Sequence, residues 1–146
     1  MRDMILLKQG EIVLKGLNKR SFEQKLLSNI RTRLKLIGDF ERISDHSVNI
    51  VESAEEIRDK QVSFSPQATK EIATMKAAVN EILTMTYDAL EHGNIELALA
   101  VEPLEQVVDY LRDQIKLNHT IRLQKNLCSI ELGFILSDIL TDYERV

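Results

Sequence analysis

Between Asn18 and Lys60 the chain contains no proline and a single glycine, Gly38. So long a stretch without helix breakers or turn residues leaves few folds open. Apolar side chains at Leu26, Leu27, Ile30, Leu34, Ile37, Val48 and Val51 recur mostly at steps of three and four. That spacing predicts one amphipathic helix of roughly 40 residues, where about 12 is usual. Helices of this length occur in bundles. The rest of the chain is equally sparing of punctuation. Five glycines, two prolines and no tryptophan in 146 residues argue against a sandwich or barrel.

Further helices follow from their end signals. Ser65-Pro66 is an N-cap and first-turn pair, opening a helix through Ile72, Met75, Val79, Ile82, Leu83, Met85 and Leu90 to His92-Gly93. Asn94 caps a third helix through Leu97, Val101, Leu104, Val107, Val108, Leu111 and Ile115, which Pro103 is expected to kink or to start. A short polar stretch is expected near 116–126. After it, Leu127–Val146 is apolar on several sides and reads as a deeply buried helix. Residues 4–16 read instead as a short strand or hairpin broken at Gly10 and Gly16. The predicted class is therefore all-α, an antiparallel helical bundle with a short N-terminal strand or hairpin.

Charge divides the chain at residue 35. Residues 1–35 carry nine Lys/Arg against three acids, a net +6, and the remainder carries −10, within an overall −4. A basic segment of this kind suits nucleic acid or an acidic surface, or is simply a solvated helix face. The lone Cys128 excludes an internal disulfide and a multi-cysteine zinc site. No apolar run is long enough for a spanning helix and no secretory leader is evident, so an intracellular, cytoplasmic protein is expected. No phosphate loop, nucleophile elbow or HExxH pattern occurs, and the chain is not read as an enzyme.

An internal repeat carries the candidate chemistry. LIGDFERI at 36–43 returns as ILTDYERV at 139–146, an offset of 103 residues, with Asp39, Glu41 and Arg42 recurring as Asp142, Glu144 and Arg145. The counterpart of Asp45 would be position 148, so the second copy is truncated. On the first helix, Ile30, Leu34, Ile37, Glu41, Asp45 and Val48 share one face, which predicts two carboxylates on an inward stripe. Buried carboxylates need a proton, a basic partner or a cation, and two acids at i and i+4 can share a hard metal. Asp138 and Asp142 form another such pair. The bland alternative is a purely structural bundle in which Glu41 pairs with Arg42 or Arg145 and Asp45 with a neighbouring base. His46 is expected at a surface or interface. His92 and His119 are expected in capping or dipole roles at helix ends, and Cys128 as a small buried residue with no histidine beside it.

DFERISDHSVNI (39–50) and IELGFILSDILTDYERV (130–146) resemble the PhoU domain, in the form found as the cytoplasmic tail of bacterial sodium/phosphate cotransporters. The resemblance covers about 36–146. It implies tandem helical bundles that bind iron, manganese or zinc, in multinuclear clusters, through E/D-x-x-x-D motifs, and that regulate phosphate uptake. Carried over by position, Glu41 and Asp45 would be ligands with Asp39 beside them, and Asp142 and Glu144 would match in the second copy. A phosphate transporter's membrane domain or an associated sensor kinase would be the partner. Residues 1–35, with QGEIVLKGLNKRSF at their centre, resemble instead the start of ThiI-type tRNA sulfurtransferases. That gives an alternative reading, an RNA-binding fragment of a tRNA-thiolating enzyme acting through Lys15, Lys19, Arg20, Arg31 and Arg33. Because the second repeat is truncated, its apolar last helix is expected to lack packing partners and to drive homo-oligomerisation.

Overall fold

The computed structural model describes residues 19–146, all of it helix and connection. Four helices follow in order: α1 (Lys19–Asp59), α2 (Pro66–His92), α3 (Ile95–Gln124) and α4 (Ile130–Arg145). The expected strand or hairpin at 4–16 lies outside the described residues. Two compact units divide after Glu41, the second being Arg42–Val146. α1 is one continuous helix of 41 residues. No described helix is long and apolar enough to cross a membrane.

The helix ends obey local chemistry. Ser65, Asn94 and Ser129 each accept a hydrogen bond from the amide three residues on, Ala68, Leu97 and Leu132, satisfying one orphan donor per helix. Three ends close alike, with a residue in the left-handed region followed by an amide that reaches back five residues. Gln61, Gly93 and Asn126 have φ of 54°, 63° and 54°. Val62, Asn94 and Leu127 then donate to the carbonyls of Ile57, Ala89 and Arg122. Pro103 neither starts nor ends α3, because the helix runs from Ile95 through it. Nor does the polar stretch at 116–126 form a connection. α3 continues to Gln124, since Asn118, His119 and Arg122 point into protein and find partners there.

The dry centre of the second unit joins Met75 and Val79 of α2, Val108 and Ile115 of α3, and Leu136 and Leu140 of α4. α4 contributes most for its length: Leu132, Ile135, Leu136, Ile139 and Leu140 are all buried. The expectation that this helix lacks partners is thus overturned, because α2 and α3 already enclose it. A buried fork pins α2 to α3. Arg122 Nη1 donates to Glu71 Oε1 at 3.0 Å, Nη2 lies 2.9 Å from Oε2, and Asn118 adds a 3.0 Å bond to Oε1. Beside it the buried His119 ring lies against Gly133 of α4, where a Cβ would fall 2.7 Å from His119 Nε2.

The inward register of α1 differs from the sequence expectation. In the second unit the covered positions are Ile43, His46, Ile50, Ser53 and Ile57, at steps of three and four. Asp45 is exposed, as is Glu41 on the last residue of the first unit, and Leu34, Ile37 and Val48 are 44 %, 63 % and 52 % exposed. α1 carries two apolar stripes, and the longer one, from which the inward face was inferred, points outward. A stripe's length does not decide burial; the shape of the surface it meets does.

Candidate metal centre

Two acidic grooves lie within the second unit. The first separates α1 from α4, has a volume of about 360 Å³, and is lined by Asn49, Glu52, Ser53, Glu56, Asp138, Thr141 and Asp142. Its acids come as two pairs at i and i+4, Glu52/Glu56 on α1 and Asp138/Asp142 on α4, so each helix offers neighbouring carboxylates on one face. Asp142 is 8 % exposed and is held from α1. His46 Nδ1 donates to its Oδ1 at 2.9 Å, and Asn49 Nδ2 donates to the same oxygen at 3.2 Å. Both bonds fall on Oδ1. At the groove's far end Lys60 sits 2.7 Å from both Glu56 and Glu131, tying α1 to the start of α4. The hydrogen bond to Glu131, then that to Glu56, hold its ammonium pKa well above the ordinary lysine value.

The second groove, about 430 Å³, lies between α3 and the end of α4 and includes Glu105, Asp109, Tyr143 and Glu144, with Ile43 and α2 side chains forming its floor. Arg112 spans it. The guanidinium lies 2.6 Å from Glu144, 3.2 Å from Asp109 and 3.0 Å from Asp113. Asp113, then Glu144, hold it charged far above any accessible pH. A cation thus already sits among these acids and offsets part of their charge.

Of the residues singled out by sequence, Asp138 and Asp142 meet in the first groove and Glu144 lines the second. Glu41 and Asp45 are exposed on α1, and Asp39 is half-buried on the same helix. Sequence reasoning missed Glu52, Glu56, Glu105 and Asp109. Glu105 and Asp109 repeat the E-x-x-x-D spacing of Glu41 and Asp45, so the signal was present in EQVVD. It missed His46 as the orienting partner of Asp142. It also missed Cys128 beside His119: Sγ lies 3.9 Å from Nε2 and donates to the His119 carbonyl at 3.7 Å. Burial, then the Arg122 charge, pushes the His119 pKa below the usual histidine value. Among the described residues, three ligand atoms approach within 4.8 Å of one another at Asp88, Glu91 and His92, at the end of α2. His92 Nδ1 bonds the Asp88 carbonyl at 3.0 Å there.

The donor set of the α1/α4 groove is carboxylate oxygen with one imidazole behind it, which fits a hard or borderline divalent or trivalent cation. Asp138 and Asp142 with Glu52 and Glu56 line the groove, and His46 orients Asp142. No three of these carboxylates bring ligand atoms within 4.8 Å of one another, and Glu56 is paired with Lys60, so a cation there would require them to close in.

Comparison with known proteins gives the chain a mixed ancestry. Residues 4–65 match the ThiI ferredoxin-like domain and residues 72–146 match the PhoU domain. The chain is 28 % identical over 122 residues to the phosphate-specific transport system accessory protein PhoU homolog 1 of Thermotoga maritima, covering 84 % of this chain and 52 % of that protein. It is also 50 % identical over 38 residues to a probable tRNA sulfurtransferase of Acetivibrio thermocellus, covering 26 % of this chain and 10 % of that one. The chain thus spans about half the length of the first relative and a tenth of the second. No solved structure matches it. Since the PhoU model takes in more than half of its residues, including all of α3 and α4, the chain belongs to the PhoU domain family.

Proposed function

We propose that this chain is a non-catalytic regulatory bundle of phosphate transport, acting in the cytoplasm beside a phosphate transporter such as a sodium/phosphate cotransporter or its sensor kinase. In this reading a bound iron, manganese or zinc ion sets its active shape. The observation that carries it is that Glu52, Glu56, Asp138 and Asp142 line one groove, with Asp142 oriented by His46 and Asn49. A cation there would link α1 to α4 and so couple occupancy to the position of α1. The relation to an accessory protein of phosphate-specific transport supports the regulatory role. Glu105, Asp109 and Glu144 offer a second position, open to a metal only once Arg112 is displaced.

Elemental analysis of the purified chain tests the proposal. Bound metal is expected in the parent protein, and Asp138→Asn/Asp142→Asn should remove it while Glu41→Gln/Asp45→Asn retains it. Metal kept by the first variant but lost in Asp88→Asn/His92→Ala would move the centre to the end of α2. A metal-free parent chain with undiminished thermal stability would favour a purely structural bundle.

The match of residues 4–65 to a tRNA sulfurtransferase domain supports a second reading, an RNA-binding segment using Lys19, Arg20, Arg31 and Arg33. It requires tRNA affinity that falls steeply with salt. No binding at low salt would eliminate it.

A further inference from the structure

Two faces of α1 carry apolar side chains, and one of them is uncovered. In the second unit, Val48 and Val51 lie about half a turn round the helix from the Ile43–Ile57 stripe and are 52 % and 58 % exposed. In the first unit, Leu27, Leu34 and Ile37 are 46 %, 44 % and 63 % exposed. Along the sequence these outward residues keep a seven-residue repeat. Leu27, Leu34, Glu41 and Val48 recur at one position, and Ile30, Ile37, Ser44 and Val51 three residues later. That is the seam of a two-stranded coiled coil.

Charge decides what the seam pairs with. Residues 19–35 hold six Lys/Arg and one acid, whereas residues 36–59 hold seven acids and two arginines. A parallel copy would set like charge against like along the whole length. An antiparallel copy sets each basic half on an acidic half. The same arrangement closes the seam in register: Leu27 meets the partner's Val51, Ile30 the partner's Val48, Leu34 the partner's Ser44 and Ile37 the partner's Glu41. Along one flank Arg31 comes opposite the partner's Asp45.

We propose that α1 is a dimerisation element, two copies of the chain pairing antiparallel through the outward stripe of Leu27, Leu34, Ile37, Val48 and Val51. This requires neither metal nor RNA, so it stands or falls apart from the proposed function. Glu41 and Ser44, the polar positions of the seam, lie near its middle, so the apolar contacts are concentrated toward its two ends.

Light scattering and sedimentation equilibrium of the full chain at tens of micromolar test it, and a dimer is expected. Arg31→Glu/Arg33→Glu should raise the dissociation constant at least about tenfold, as should Glu41→Lys/Asp45→Lys, since the changes at 31 and at 45 each set like charges opposite one another and the others reverse the charge of the half-helix. Mixing the two variants should restore a dimer, which separates repulsion from misfolding. In a Cys128→Ser background, Leu27→Cys/Val51→Cys should form an interchain disulfide on oxidation and Leu27→Cys alone should not. A monomeric parent, charge variants that dimerise unchanged, or crosslinking by Leu27→Cys alone would each overturn the proposal.

Discussion

α4 and α1 are built from similar residues and end up in opposite circumstances. α4 has 16 residues, five of them apolar and buried, on a face so dense that no other orientation could hide it. α1 has 41 residues, and Ser53 is its one buried position among the described residues. Its apolar side chains are split between two faces of comparable strength. A helix with one apolar face announces its orientation, whereas a helix with two leaves the choice to its neighbours. α4 is therefore core, and α1 is a surface element with a partly covered, polar-jointed side toward α4 and another toward solvent.

The sharpest way to break this contrast is to truncate one side chain on each. Leu140 is fully buried, and Leu140→Ala should cost about 3 kcal/mol in urea unfolding. Ile50→Ala, on the half-covered stripe of α1, should cost about 1 kcal/mol. Equal losses would mean that α1 is as much core as α4. Next comes the polar joint between them. Asp142→Ala should lose about 2 kcal/mol in metal-free protein, because His46 and Asn49 lose their shared acceptor, and His46→Ala should recover part of that loss in the double variant. Ser129→Ala should cost about 1 kcal/mol by uncapping α4.

The smallest effect expected concerns pH. The His119 ring lies on Gly133 of α4, and its pKa is lowered from 6.5, first by burial and then by Arg122. The unfolded chain therefore takes up that proton before the folded one does. Stability should fall as pH drops below about 6.5, continuing until the folded ring also protonates. His119→Asn should flatten that part of the pH profile, which a stability series on both proteins would reveal.

Much of this architecture was legible in the residues. Ser65-Pro66, Asn94 and Gly93 marked helix ends because capping is a local transaction between neighbours in sequence. Met75 and the dense apolar run of α4 marked the core for the same reason. The orientation of α1 was not legible, since choosing between its two stripes depends on α2 and α4. Glu41 and Asp45 consequently faced the wrong way in the sequence reading, while Asp142, their neighbour in the repeat, entered the groove. The approach of Cys128 to His119 was hidden too, because it depends on how residues 125–129 turn after Asn126. Glu105 and Asp109 were readable from spacing alone, and only their meeting with Glu144 needed three dimensions.

The missing carbon at Gly133 bears on how two substitutions would combine. A methyl group there would come 2.7 Å from the imidazole Nε2 across the helix boundary, so the effect of a change at 133 depends on the side chain at 119. Trimming the ring removes that close approach, whereas alanine at 133 with the ring in place requires the imidazole to shift. The two substitutions should therefore not add, because the closeness of α3 and α4 at this point couples them.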